Sequence, residues 1–250
     1  MQHVSRHVIG AALIGLISLP AQADFVGVYG GIDYWYADGS TEIAQTDTTQ
    51  QTFNQDNKGL VSATLSVEHP VPLLPNARLR HVQLKRDDNA QSNGFQFSNQ
   101  AFIGNTNLDL DMTNTDLLAY YEILDNIISV DVGLGATLLN GDMTVRSNEI
   151  ALNSQTINIK ETLLVAYASV GGSLPFTGFS AKAEAVVGRN QDARSSDLQA
   201  EIKYDLIDNL LVDAGVKAGY RLLKIELEDV KNTDATFDFK GPYLGLEIHF

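Results

Sequence analysis

Apolar and polar residues alternate with a period of two along much of this chain. In Phe25–Tyr36 one parity reads Val26, Val28, Gly30, Ile32, Tyr34, Tyr36, and the other carries Gly27, Gly31 and Asp33. The same alternation sets Val61, Ala63, Leu65 and Val67 against Ser62, Thr64, Ser66 and Glu68. It returns over Ile128–Leu139, Phe179–Val187, Leu198–Leu206, Leu210–Leu222 and the final run to Phe250. Strict alternation predicts β-strands with one apolar and one polar face. The repeats run for about ten residues, which suits a tilted membrane-crossing strand better than the five or six usual in soluble sheets. Three less regular segments, Ala77–Arg86, Leu110–Glu122 and Lys160–Gly171, bring the expected count to ten, with eight or twelve as alternatives. Their facing is left open by the pattern, and Asn114 and Asp116 read as a bulge or the outer end of a strand.

Connection length supplies a second signal. Short links at Pro70–Asn76, Leu124–Ile127, Leu174–Gly178 and Leu206–Asn209 alternate with long polar links at Ala37–Asn57, Asp87–Asp109, Asn140–Ile159, Asn190–Asp197 and Ile225–Thr236. Outer-membrane barrels place short turns in the periplasm and long loops outside. Soluble sandwiches have no such rule. The expected fold is therefore all-β, a transmembrane antiparallel up-and-down barrel. Aromatics near the short turns (Tyr120, Tyr121, Phe176, Phe179, Tyr204, Tyr243, Phe250) and at the other end of the first strand (Tyr34, Trp35, Tyr36) are expected to form two interfacial girdles.

The first residues change the compartment. Arg6 precedes an uncharged run, Val8 to Leu19, and then Pro20-Ala21-Gln22-Ala23. A basic start, a short apolar core and an Ala-x-Ala ending form a Sec-type signal peptide, with cleavage after Ala23. Residues 1–23 are thus expected to be removed, leaving 24–250 as the barrel. The whole chain has 17 basic against 31 acidic residues and a net charge of −14, and losing Arg6 makes the remainder slightly more acidic. That balance argues against nucleic acid or an anionic lipid surface as a partner. There are no cysteines, so burial and hydrogen bonding must hold the exported chain. A mean hydropathy of −0.07 is ordinary for a barrel, because lipid-facing and lumen-facing residues average out.

Two segments carry a resemblance. The last ten residues, Gly241-Pro-Tyr-Leu-Gly-Leu-Glu-Ile-His-Phe250, resemble the C-terminal signal of bacterial outer-membrane proteins, with Leu244, Leu246, Ile248 and Phe250 at its alternate apolar positions. The start Val26-Gly-Val-Tyr-Gly-Gly-Ile-Asp-Tyr-Trp35 is similar to that of a group of small proteobacterial barrel proteins whose first strand has a Gly-Gly pair and ends in Trp. The resemblance implies an outer-membrane location and recognition by the barrel assembly machinery, and it brings no catalytic residues.

The search for chemistry yields little. The three histidines after residue 23 are His69 at a short turn, His81 within a strand and His249 beside the terminus. None is placed for an outer-rim hydrolase, so no catalytic residue is expected. No calcium-loop, zinc or P-loop spacing occurs, and no metal or cofactor is expected. Loop acids such as Asp38, Glu42, Asp87, Asp88, Asp109, Asp111, Glu226, Glu228 and Asp229 read as a hydrated surface facing the lipopolysaccharide layer. The polar parity is more informative. Asp33, Glu68, Asp131, Lys182, Glu184, Glu201, Lys203, Asp205, Asp213, Lys217, Arg221 and Glu247 should point into the lumen. Ten strands lie near the size at which side chains fill a barrel, and opposite charges enclosed there should pair. The expectation is a closed scaffold touching membrane lipid, with a narrow channel for small solutes as the alternative.

Overall fold

The computed structural model describes residues 26–45, 49–71, 73–148, 153–209 and 211–250. The expected signal segment, 1–23, lies outside the described residues. Ten strands follow in order: β1 Gly27–Ala44, β2 Gln51–Glu68, β3 Asn76–Phe97, β4 Gln100–Asp125, β5 Ile128–Ser147, β6 Ser154–Leu174, β7 Phe179–Arg189, β8 Ala193–Asp208, β9 Asp213–Leu227 and β10 Asp234–His249. Each pairs antiparallel with its sequence neighbours, and β1 pairs with β10, so the sheet closes into a barrel. At the seam Val28 and Phe250 exchange backbone hydrogen bonds of 3.0 and 3.1 Å. Closure leaves no free edge at this level, as an apolar medium requires.

The parity expected from the sequence holds toward the end with the short turns. Ile32, Val61, Leu134, Ile202 and Leu246 are all more than half exposed on the outside, while Asp33, Asp131 and Lys217 are buried within. The three segments left open now have a facing. Leu79, Leu117 and Leu164 point outward, and Arg80, Asp116 and Tyr167 point inward.

The far end departs from expectation. Four of the long links are mostly strand, and Asp87–Asp109 becomes one tall β3–β4 hairpin turning at Ser98 and Asn99. Those two residues have φ of 50° and 63°, the left-handed pair of a two-residue hairpin turn. The physical reason is that alternation continues there with the polarity reversed. Phe95, Phe97, Phe102, Leu108, Leu110 and Met112 are buried inside, and Asp87, Asn105, Asp111 and Asp142 face out.

Two ladders also stop short of this end. The β2–β3 register runs only from Val67↔Ala77 to Ser62↔Val82 among the described residues, and β6 meets β7 no higher than Leu164↔Arg189. Above these points β3–β6 form one sheet and β7–β10 with β1 and β2 form another. Their inner apolar faces meet as in a sandwich. Phe53 of β2 meets Phe95 of β3 edge-on at 6.0 Å, and Phe95 stacks on Phe102 at 5.6 Å. The hairpin tip crosses to the opposite sheet, where Ser98 N donates to Thr233 Oγ1 at 3.0 Å and Asn99 Oδ1 accepts from Gln45 Nε2 at 2.9 Å.

The girdle expectation holds in part. Tyr34, Tyr36, Tyr121, Phe176, Phe179, Tyr204 and Phe250 are exposed on the outside. Trp35, Tyr120 and Tyr243 are not in a girdle, because they sit on the inward parity and are buried in the lumen.

Candidate functional site

The lumen of the turn-end half is where chemistry concentrates, and Arg80 is its hub. The alternation of β3 that turns Leu79 to the outside sends Arg78 and Arg80 inward. Arg80 lies in register with Asp116 of β4, and its Nη2 donates to Asp116 Oδ2 at 2.9 Å. The same nitrogen reaches across the barrel to Asp197 Oδ2 of β8 at 2.9 Å. Arg221 of β9 grips that carboxylate bidentately, at 3.0 and 2.7 Å. Glu184 of β7 accepts from Arg80 and, at 2.9 Å, from Arg78. Thr137 Oγ1 donates to the other Asp116 oxygen at 2.6 Å. Removing such charges from water costs several kcal/mol each, an expense offset only where every partner is in place. Here the guanidinium forks supply the geometry.

A second cluster lies one layer nearer the short turns. Lys217 contacts Asp33 at 3.1 Å, Glu201 at 3.5 Å and Glu247 at 3.8 Å. Lys203 reaches Glu247 at 3.2 Å, Asp213 at 3.3 Å and Asp205 at 3.1 Å. Lys182 stands 3.8 Å from Glu184 of the Arg80 layer and lies in register with Glu201 of this cluster. Space is tight at Gly245, where a Cβ would fall 2.0 Å from Asp33 Oδ1 and displace the carboxylate that meets Lys217.

The structure therefore brings together Asp33, Lys182, Glu184, Glu201, Lys203, Asp205, Asp213, Lys217, Arg221 and Glu247. It leaves Glu68 and Asp131 apart. Glu68 accepts from the Tyr120 hydroxyl at 2.6 Å and Asp131 from Ser169 at 2.6 Å, and neither has a cation partner in an ion pair among the described residues. Four members escaped the sequence reading. Arg78 and Arg80 sit in a strand whose outward parity, Leu79, His81, Gln83, Lys85, is too polar to announce itself. Asp116 is a buried partner, not a strand end or bulge, and Asp197 lies within β8, not in a loop. The signal that could have found them is Leu117 and Leu198, whose outward apolar side chains force the preceding residue inside.

Aromatic side chains cover this layer. Arg221 lies 4.7 Å from the Trp35 ring centroid, and Arg78 lies 5.1 and 5.2 Å from Tyr167 and Tyr120. Past Trp35, toward the hairpins, the inward positions belong mostly to the apolar core of the sandwich, from Leu84 to Phe239. Toward the short turns the lumen opens into a cavity of about 260 Å³, lined by both clusters and ending against Arg80 and Lys217. Among the described residues, no group of three His, Cys, Asp or Glu is placed to hold a metal ion. Leu244, Leu246 and Ile248 form the outward row of β10, the strand that closes the barrel against β1, and exposed Phe250 follows its end.

A closed barrel with an apolar outer band and an enclosed polar lumen defines the outer-membrane β-barrel class. One solved structure agrees at the level of fold, and two others align more loosely. The outer-membrane protease OmpT of Escherichia coli aligns with a TM-score of 0.52 and 10% identity, covering 94% of this chain and 99% of its own. The translocator domain of autotransporter NalP from Neisseria meningitidis gives 0.44 and 12%, covering 91% and 89%. The transport unit of the autotransporter AIDA-I from E. coli gives 0.41 and 10%, covering 94% and 93%. At such identities the likeness is one of fold alone. No family model and no curated protein matches the chain.

Proposed function

We propose that this chain is a non-enzymatic scaffold barrel of the outer membrane, closed along its axis. Its hairpin end faces outward and its short turns face the periplasm. The observation that carries this reading is the double filling of the interior: a paired charge layer around Arg80, then an apolar core that spans two sheets. Water and small ions need a continuous polar path, and both layers oppose one. The placement of histidine supports the absence of catalysis. His69 bonds within its turn, His81 faces outward against Thr115, and His249 stacks on Tyr29.

The apolar outer band is suited to membrane lipid, and the ends of the long hairpins to lipopolysaccharide. Leu244, Leu246, Ile248 and Phe250 would be read by the barrel assembly machinery after Sec export and cleavage after Ala23.

Planar-bilayer recording of the purified mature chain tests this reading. We expect a silent bilayer. Steady single-channel steps would replace the scaffold with the competing reading, a narrow channel for small solutes.

A further inference from the structure

The chain is strongly acidic, yet its outward-facing cations are not scattered. Among the described residues, most outward-facing lysines and arginines stand at or beyond the hairpin end of the apolar band, and Lys240 lies in register with Leu222. On β7, β8 and β9 three of them converge. The outward rows run Val187 then Arg189 on β7, Leu198 then Ser196 and Arg194 on β8, and Leu222 then Lys224 on β9. Val187, Leu198 and Leu222 are each more than two-fifths exposed, so these cations stand directly above lipid-facing residues.

Three further observations point to a bound anion. First, Arg189 is in register with Arg194, and like charges directly opposite in a sheet repel. Lys224 is in register with Ser196, one strand away. Second, the local acids offset two of the three charges and leave Arg189. Arg194 meets Glu228 at 3.0 Å and Lys224 meets Glu226 at 2.6 Å. Both pairs are well exposed and so readily exchanged. Arg189 forms no ion pair among the described residues. Third, Arg189, Arg194 and Lys224 line a shallow, open cavity of about 460 Å³ together with Ser195, Ser196 and Glu226. The turn that presents the two arginines is pinned by Asn190 Oδ1, which accepts from the backbone N–H of Asp192 at 2.9 Å and of Ala193 at 2.6 Å.

From this we infer that Arg189, Arg194 and Lys224 form a binding site for the phosphate of an anionic lipid headgroup in the outer leaflet. Two guanidinium forks a cross-strand spacing apart match a phosphate's oxygens, and the lysine adds a compact charge from the side. The acyl chains would lie along Val187, Leu198 and Leu222. The inference rests on the membrane orientation proposed above.

Native mass spectrometry of the mature chain in detergent micelles tests it, using bis-phosphorylated lipid A, the dephosphorylated form and inorganic phosphate as probes. We expect lipid A adducts that fall about tenfold in the Arg189→Gln/Arg194→Gln double variant and persist in Lys85→Gln. Heat-dependent gel mobility would show that each variant is folded. Equal adducts with dephosphorylated lipid A, or undiminished adducts in the double variant, would overturn the site. Displacement of lipid A by millimolar inorganic phosphate would make it a free-phosphate site and overturn the lipid assignment. Failure of the unmodified chain to fold in micelles would sink the membrane reading itself, a result distinct from these.

Discussion

The two halves of the barrel solve opposite problems with the same strands. In the turn-end half, β1 turns Ile32 and Tyr34 outward and Asp33 inward. In the hairpin-end half, the same β3 and β4 turn Phe95 and Phe102 inward and expose Asp87 and Asp111. The first half is built for an apolar surround, where an enclosed charge must find a partner. The second is built for water, where burying phenylalanine provides the driving force. Ladder closure follows the same division. It is complete where lipid would punish an unpaired backbone group, and it lapses at β2–β3 and β6–β7 only where water can satisfy one.

The strongest test of this contrast is Arg80→Ala. It would leave Asp116, Asp197 and Glu184 sharing fewer cations in an enclosed layer. Breaking a buried pair by removing one partner costs about 3–5 kcal/mol, so urea unfolding of the refolded protein should show a loss of that order. A loss below about 1 kcal/mol would mean that water from the neighbouring cavity already solvates the layer. Next comes Phe102→Ala, at about 3 kcal/mol, the lower end for a Phe truncation because the hairpin can settle into the void. Its signature should be regional. Hydrogen exchange should quicken over β3–β4 above Leu84 and stay slow at the β1–β10 seam. Equal quickening at the seam would show that the halves unfold as one unit.

How far the sequence reveals this arrangement depends on which face carries the apolar residues. Strand number, short turns and the facing of β1, β5 and β7–β10 are legible because their lipid-facing rows are almost purely apolar. The tall hairpin was unreadable as strand because reversed polarity, read against the membrane pattern, looks like a polar loop with stray phenylalanines. The lumen acids and lysines were legible from parity alone. Arg80, Asp116 and Asp197 were not, since what identifies them is cross-strand register and a reach across the barrel. Trp35, Tyr120 and Tyr243 show the limit of reading aromatics by position along a strand: one residue of register separates an interfacial ring from a lumenal one.

A paired substitution probes the outer surfaces. Leu134→Arg places a cation on the lipid face of β5 and should cost about 2–3 kcal/mol in vesicles. Asp142→Arg, on the same strand and the same outward parity but in the hairpin-end half, should change stability by less than about 0.5 kcal/mol. Its sign should be favourable, because Asp142 lies in register with Asp111 and the change removes a like-charge pair. Similar costs for the two would erase the boundary between the halves.

The smallest expected effect concerns how the water-facing half responds to acid. Asp111 is held below the usual carboxylate value, first by a hydrogen bond from Gln83 Nε2 at 3.0 Å and then by Lys85 at 3.1 Å. A carboxyl depressed in the folded state adds stability above its unfolded value, near 4, and loses it as the pH falls through the folded value. The site is open to solvent and screened, so the contribution is well under about 1 kcal/mol. The stability gap between the unmodified chain and Asp111→Asn should therefore stay constant from neutral pH to about 5 and close below about 4. Equilibrium unfolding across that range, at low and high salt, measures it. A gap that widened on acidification would reverse the sign and show that Asp111 is strained by its neighbours. A gap insensitive to salt would contradict the assignment of this wall to open water, where added ions weaken a pair of this kind.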